Sequence, residues 1–429
     1  MRRILIICLA LAFAATASAQ MANVKKLRNK IDYATGTIPA QDYSNLPAEK
    51  VEEFRELIEP ALTNEESKDE SDLWEYAARL SMYDMNQMLA QRAANNNEFV
   101  DANAFFENQY DIVTRWMKYI DLLNTPNEKG KYSKKEEERE KDRLLYQQFA
   151  MNSRNNLFIA ATNVVNDDPA KAITYLDLFY SSATHPLFVD LEPSKNGSAN
   201  LPNSYYIYAT ALKTTNGDKA LTKEYLDKAR TSEMFGKNAL FDLMEMEKED
   251  GNMDAWKTLC AEAIDQFPDE GIFGRMLIQQ YINDKQYDEA NALCDKLIAA
   301  NQANGTVDEW PYYFKAAALF TMEKYEDAYD AFVGCIEVKP DMVDALAGAG
   351  TTAWKLAQNN QANKDAARDW YGKAISHFEA AEIVAPDQPD KWGYSLYACC
   401  NNSLNLYDAK SDEYKELKEK TEQYKQYNK

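Results

Sequence analysis

A recurring spacing of small and bulky residues constrains this chain more than any other feature of its sequence. The clearest copy runs Ala328-x3-Phe332-x2-Cys335-x4-Pro340, where x is any residue. A second strong copy begins at Ala374, and four weaker copies begin at Ala172, Thr222, Trp256 and Ala290. Residues spaced in this way share one face of an α-helix, and a proline ends the helix because it cannot continue it. The sequence therefore predicts a series of amphipathic helices that recur at intervals of about 34 residues.

Another helical pattern precedes these segments. In the clearest copy, Tyr312, Ala316 and Leu319 occupy one helical face before the turn that leads to Ala328. Two helices approach closely where their side chains are small, and aromatic and aliphatic groups fill the space around the crossing. The combined pattern resembles the tetratricopeptide repeat (TPR), which runs W-x2-L-G-x2-Y, then A-x3-F, then P. Lys315 is a departure, because it stands where the repeat usually has Leu. Weaker copies of this first-helix pattern begin at Trp74, Tyr205, Gly274 and Trp392.

The resemblance implies an all-α fold, a right-handed TPR solenoid of about seven helical hairpins. An extra amphipathic helical insertion near the N-terminus is predicted over 99–124. The charged run 128–143 is predicted as a solvated loop leading into a helix, with a docking element as the alternative. The expected segments are a signal peptide at 1–19, a region with the lead-in helix Ala48–Leu62 at 20–70, a first hairpin with the insertion and charged loop at 71–152, the TPR array at 153–388, and a C-terminal hairpin with a capping helix at 389–429.

The first 19 residues have the layout of an export signal. Arg2 and Arg3 precede the apolar run Ile4–Ala15, and Ala17-Ser18-Ala19 is typical of a cleavage site. The apolar run is too short to span a bilayer. A lipoprotein would need cysteine as its first mature residue, and Gln20 occupies that place. We therefore expect an exported protein, periplasmic or associated with the outer envelope, with no transmembrane segment in its mature form.

Charge makes nucleic acid a poor partner. The 429 residues include 48 Lys and Arg against 69 Asp and Glu, a net charge of −21, which repels phosphate backbones. The same excess disfavours anionic lipid surfaces. A solvated, solubilising surface is its simplest explanation.

Candidate catalytic and metal-binding residues are sparse. Five cysteines follow the expected cleavage site, and four of them, Cys260, Cys294, Cys335 and Cys399, fall at helix-packing positions, where cysteine acts as a small hydrophobe. The two histidines lack a flanking metal or nucleophile motif, and no phosphate loop, zinc motif or nucleophile elbow occurs. The sequence predicts no enzyme activity, cofactor or metal, although carboxylate pairs leave a glycosidase formally open.

The concave face of the first helices is the predicted binding surface. In this register the residues that line it are Arg79, Tyr83, Tyr206, Arg275, Gln279, Asn283, Tyr313 and Phe320. Co-chaperone TPR domains hold a peptide carboxylate with Lys and Asn, but Arg275 and Gln279 occupy those places here, which disfavours such a clamp. Tyr313 and Phe320 have a second interpretation, in which they only pack against the neighbouring repeat.

The resemblance implies a non-catalytic scaffold that binds a protein or peptide, and fold alone does not fix that function. A glycan- or nutrient-binding envelope protein with TPR-like helices is the alternative. That class is usually lipid-anchored, which Gln20 disfavours. An enzyme is the third possibility.

Overall fold

The computed structural model describes residues 26, 43–44, 46–191, 197–215 and 217–428. The predicted signal peptide and its cleavage site lie outside these residues. Contacts divide the chain into two units: unit 1 extends to Asp242, and unit 2 begins at Leu243.

Seventeen α-helices account for most of the described residues, and no strand occurs among them. In chain order they are α1 Ala48–Leu62, α2 Ser71–Ala94, α3 Ala102–Asn124, α4 Glu136–Val164, α5 Pro169–Ser182, α6 Leu201–Thr214, α7 Lys219–Ala229, α8 Gly236–Glu249, α9 Met253–Gln266, α10 Gly271–Asn283, α11 Tyr287–Asn304, α12 Trp310–Thr321, α13 Tyr325–Val338, α14 Val343–Asn359, α15 Lys364–Val384, α16 Pro389–Ser403 and α17 Asp412–Tyr424. Consecutive helices pack in pairs, which confirms the predicted all-α solenoid architecture. In the part of the chain that the structure describes, no helix has the length and apolar character needed to span a membrane.

Short polar side chains begin several of these helices. The carboxylate of Asp101 accepts a hydrogen bond from the Ala104 amide at the start of α3, and Asp168 accepts one from Lys171 at the start of α5. Such caps satisfy amides that have no partner within the helix. The helix predicted as an insertion, observed as α3, packs against both α2 and α4. It is therefore the second helix of the first hairpin, and the charged run after it enters α4 at Glu136.

Unit 1 is built around long helices with aromatic and polar interiors. Helices α2, α3 and α4 contain 24, 23 and 29 residues. The buried ring of Trp116 stacks on Tyr146 with 3.9 Å between ring centroids. Nearby, the Tyr146 hydroxyl donates a hydrogen bond of 2.7 Å to Glu75, which also pairs with Arg79 at 2.6 Å. Arg154 is almost wholly buried, and its guanidinium donates to the Ser182 hydroxyl and the Phe179 carbonyl.

Unit 2 is built from shorter hairpins in which glycine permits close helix crossings. A Cβ atom added to Gly348 would lie 2.5 Å from the Phe332 ring, and one added to Gly350 would lie 2.9 Å from the Phe378 ring. Ala328 and Ala374, the small residues of the two clearest second-helix motifs, are fully buried. The predicted role of small residues at the crossings is confirmed in these hairpins.

Unit 2 also contains five cysteines, all buried and all free thiols. Burial raises the pKa of Cys260, Cys294 and Cys335 to about 12, because the thiolate would lose its hydration. Cys294 and Cys335 belong to the hydrophobic clusters of their hairpins. The prediction that these cysteines fill helix-packing positions is confirmed.

Candidate functional site

The first helices of consecutive hairpins form a continuous row in unit 2. Helix α10 contacts α12, α12 contacts α14, and α14 contacts α16, although a second helix separates each of these pairs in sequence. The row brings together side chains from segments more than 30 residues apart. Such a row can present one surface to an extended partner.

Five residues near the N-terminal ends of these helices form what we call the first-helix strip: Arg275, Trp310, Tyr313, Asp344 and Lys391. The Arg275 guanidinium lies 5.9 Å from the centre of the Trp310 ring, and the Tyr313 ring meets Trp310 edge to face at 5.9 Å. Asp344 and Lys391 form an ion pair of 2.6 Å between α14 and α16. The strip thus crosses four hairpins.

Tyr313 links the aromatic and charged parts of the strip. Its ring also meets Phe332 edge to face at 5.9 Å, so part of the side chain packs against its own hairpin. Burial raises the pKa of Tyr313, and the neighbouring Asp344 carboxylate adds to the rise while Lys391 opposes it. Tyr313 therefore combines a packing role with a half-buried surface. The contact with Phe332 agrees with the packing interpretation, and the assignment of Tyr313 to a binding surface stays a prediction.

A cavity of about 630 Å³ lies at the α10 end of the strip. Arg275 and Trp310 contribute to both the cavity and the strip. The loop before α10 and the loop before α12 supply most of the remaining wall. The cavity therefore opens where two consecutive repeats meet.

The other predicted groove residues of unit 2 lie farther along the same helices. Gln279 and Asn283 are exposed on α10 and share a hydrogen bond of 3.1 Å. Phe320 is half-buried on α12 and meets Tyr325 edge to face. Their assignment to a binding surface stays a prediction.

Three predicted groove residues belong to unit 1, where each has internal contacts. The side chain of Arg79 is 13% exposed and pairs with Glu75. Tyr83 is half-buried against a hydrophobic cluster, and the Tyr206 ring stacks on Phe235 at 4.9 Å. We do not include these three residues in the strip, and their place on a binding surface stays a prediction.

Sequence reasoning missed Trp310, Asp344 and Lys391. Trp310 precedes Tyr313 by three residues, and this spacing places both on one helical face, so a signal for it was present. Asp344 and Lys391 are 47 residues apart, and no periodicity connects them. Their pairing follows from the stacking of hairpins.

The histidines form separate contacts within their own units. His185 Nε2 lies 2.9 Å from an Asp121 oxygen, and His377 Nε2 lies 3.0 Å from the Tyr329 hydroxyl. Burial lowers the pKa of His377. Among the described residues, no group of three His, Cys, Asp or Glu side chains is arranged to hold a metal ion.

Comparisons with known proteins give partial matches to solved TPR structures. No family model matches the sequence, and no curated protein matches it. The chain is similar to MamA from Desulfovibrio magneticus RS-1 (17% identity, 44% of this chain and 97% of that chain, TM-score 0.30). It is also similar to YrrB, described as a TPR protein with an unusual peptide-binding site (15%, 48% and 94%, TM-score 0.33). A third match is the C-terminal part of a TPR repeat-containing protein from Cytophaga hutchinsonii (16%, 61% and 98%, TM-score 0.34).

Proposed function

We propose that this protein is a non-catalytic scaffold that binds a protein or peptide partner across the first-helix strip of unit 2. The observation that supports the proposal is the strip itself, in which the half-buried Arg275, Trp310 and Tyr313 adjoin the exposed Asp344–Lys391 ion pair on a row of first helices. Aromatic residues and Arg are common anchors at protein interfaces. One extended segment or one helix could contact several members of the strip at once.

The test uses the double variant Tyr313→Ala with Arg275→Ala in the full-length protein. We expect it to lose most of the captured partner in a crosslinking pull-down from envelope extract, because it removes an aromatic and a cationic anchor. Crosslinking groups placed at Gln279 should capture the same partner. The matched control is Tyr287→Ala with Lys296→Ala, which removes the same kinds of side chain from the second helix α11.

Thermal melting of the same variants separates binding from packing. If Tyr313 serves mainly as core, its truncation should lower the free energy of unfolding by about 2–5 kcal/mol. Loss of partner with a nearly unchanged melting temperature supports a binding role. Retention of every native partner by a stably folded double variant would remove the strip from consideration.

We also propose that the protein acts in the periplasm or at the outer envelope. The support is the sequence of the N-terminus, where Arg2 and Arg3, an apolar run and Ala17-Ser18-Ala19 follow one another. N-terminal sequencing of the native protein should begin at Gln20. Recovery of an intact Met1 would contradict export through this signal.

A further inference from the structure

The cavity at the α10 end of the strip, called here the end cavity, combines apolar walls with carboxylates. Val307 is 75% exposed and Ile272 is 39% exposed, and both belong to its wall together with Leu297 and the Trp310 ring. Exposed aliphatic side chains beside a tryptophan form a surface that favours burial of an apolar group. The volume of about 630 Å³ admits more than one side chain of a partner.

Local hydrogen bonds hold the loop that forms one wall of the end cavity. Gly305 ends α11 in the left-handed conformation, with φ of 66°. The Thr306 amide then donates to the Asn301 carbonyl at 2.9 Å, and the Thr306 hydroxyl contacts the Asn301 side chain at 3.2 Å. Farther along, an Asp308 oxygen accepts a hydrogen bond from the Trp310 amide. These bonds give the cavity a defined shape before any partner arrives.

Negative charge predominates around the end cavity. Four carboxylates line it, those of Asp269, Glu270, Asp308 and Glu309, whereas Arg275 is the single cation of the lining. Asp308 is half-buried and lies close to the first turn of α10, where a Cβ atom added to Gly271 would approach its oxygen to 2.9 Å. These carboxylates would repel an anionic group of a partner. A cationic group would gain charge-assisted hydrogen bonds to them.

We propose that the end cavity recognises a basic side chain, Lys or Arg, flanked by an apolar residue in the partner segment. This inference rests on the proposed function, because it assigns one subsite to the same strip. The apolar residue lies against Val307 and Ile272, and the basic group reaches Asp308 and its neighbouring carboxylates. The net charge of −21 favours approach of a basic segment to the protein as a whole.

Three labelled synthetic peptides of ten residues test this pairing directly. They share flanking sequence and differ in a central Leu-Lys-Leu, Leu-Glu-Leu or Ser-Lys-Ser triplet, so they separate charge from apolar contact. Binding to the full-length protein is followed by fluorescence anisotropy. The Leu-Lys-Leu peptide should bind at least about tenfold more tightly than either of the others. Equal affinity of the three peptides would overturn the inference.

Variants of the protein then locate the interaction. Asp308→Asn should weaken binding of the Leu-Lys-Leu peptide by about tenfold, because it removes a charged partner while keeping an oxygen for the Trp310 amide. Asp288→Asn on the exposed face of α11 changes the net charge equally and should leave affinity unchanged. Equal effects of the two variants would show general electrostatic attraction and contradict the subsite. A melting curve for each variant confirms that it is folded.

Failure of this inference differs visibly from failure of the proposed function. If Asp308→Asn retains full affinity while Tyr313→Ala with Arg275→Ala loses the native partner, the subsite is wrong and the strip stands. If the double variant retains every native partner, the strip itself is wrong. Absence of binding by all three peptides overturns the subsite, and the native-partner experiment still decides the strip.

Discussion

Unit 1 and unit 2 solve the problem of packing helices in different ways. Unit 1 packs long helices and places polar groups between them, including the guanidinium of Arg154 and the amides of Asn108 and Gln109. In unit 2 the buried polar residues that the structure describes are the hydroxyl-bearing Thr352, Ser403 and Thr421. Its helices approach one another through glycine, alanine and thiol side chains instead.

The difference indicates what fixes the arrangement of the helices in each unit. A buried polar group costs free energy unless its partners are in place, so the contacts of unit 1 favour one arrangement of its helices. In unit 2 the arrangement of the helices depends on glycines that have no side chain at the crossings. An added methyl group there would displace an aromatic ring. The two units should therefore respond differently to substitution.

The largest effect is expected at Arg154. Its replacement in Arg154→Ala leaves a cavity beside Phe179 and removes the donors to Ser182 and the Phe179 carbonyl. We expect the free energy of unfolding of unit 1 to fall by about 3 kcal/mol. Proteolysis during urea unfolding, with peptides assigned to unit 1 or unit 2 by mass spectrometry, measures the loss.

Two variants sharpen this comparison. Arg154→Met fills much of the same volume without a charge, and because Ser182 itself donates to the Phe179 carbonyl, it should recover part of the stability. Arg139→Ala, at a half-buried position of the same helix, removes only a contact with the exposed Tyr132 ring and a hydrogen bond to Asn124, and it should cost about 1 kcal/mol or less. A cost for Arg154→Ala no greater than that for Arg139→Ala would mean that the buried guanidinium does not stabilise unit 1.

Smaller effects are expected when two glycines of unit 2 are replaced by alanine, and the two changes in the free energy of unfolding should have opposite signs. Gly350→Ala should lower the free energy of unfolding by about 1 kcal/mol, because its Cβ meets the fully buried Phe378 ring. Gly372→Ala should raise it by about 0.5–1 kcal/mol, because its added Cβ meets nothing within 4 Å beyond the adjacent backbone of its own helix, and alanine favours a helix. The same proteolysis experiment reports both values for unit 2.

The two glycine variants act as each other's control. Both place alanine within a helix of the same hairpin, so helix propensity contributes equally to each. Only the proximity of Phe378 separates them. An equal gain in stability from both substitutions would contradict the close crossing at Gly350.

The repeated part of the fold was predictable because its physics is local. Ala328 and Phe332 are four residues apart, and their spacing alone indicates a helix face with a small residue at the crossing. The lead-in helix, Ala48–Leu62, was predicted with the bounds that the structure has. The role of α3 was not predictable in this way, because its pairing with α2 depends on long-range contacts such as Asn108 with the Ser81 carbonyl.

The candidate site was predictable only in part. Arg275 and Tyr313 were selected by the repeat register, which predicts the concave face of each first helix, and the packing of Tyr313 on Phe332 of its hairpin partner came from the structure. The Asp344–Lys391 ion pair depends on how two hairpins stack, and the end cavity depends on the paths of two loops. Neither feature has a sequence period, so the structure was needed to find them.

The buried thiols of unit 2 also have a kinetic consequence. Because burial raises the pKa of each of these thiols to about 12, a far smaller fraction of them is ionised at pH 7 than of an exposed thiol. The thiolate is the species that reacts with oxidants and disulfides, so folding slows both reactions. Cys260, Cys294 and Cys335 should therefore be modified mainly when their hairpins open. The rate at which they are labelled then reports the local unfolding of unit 2.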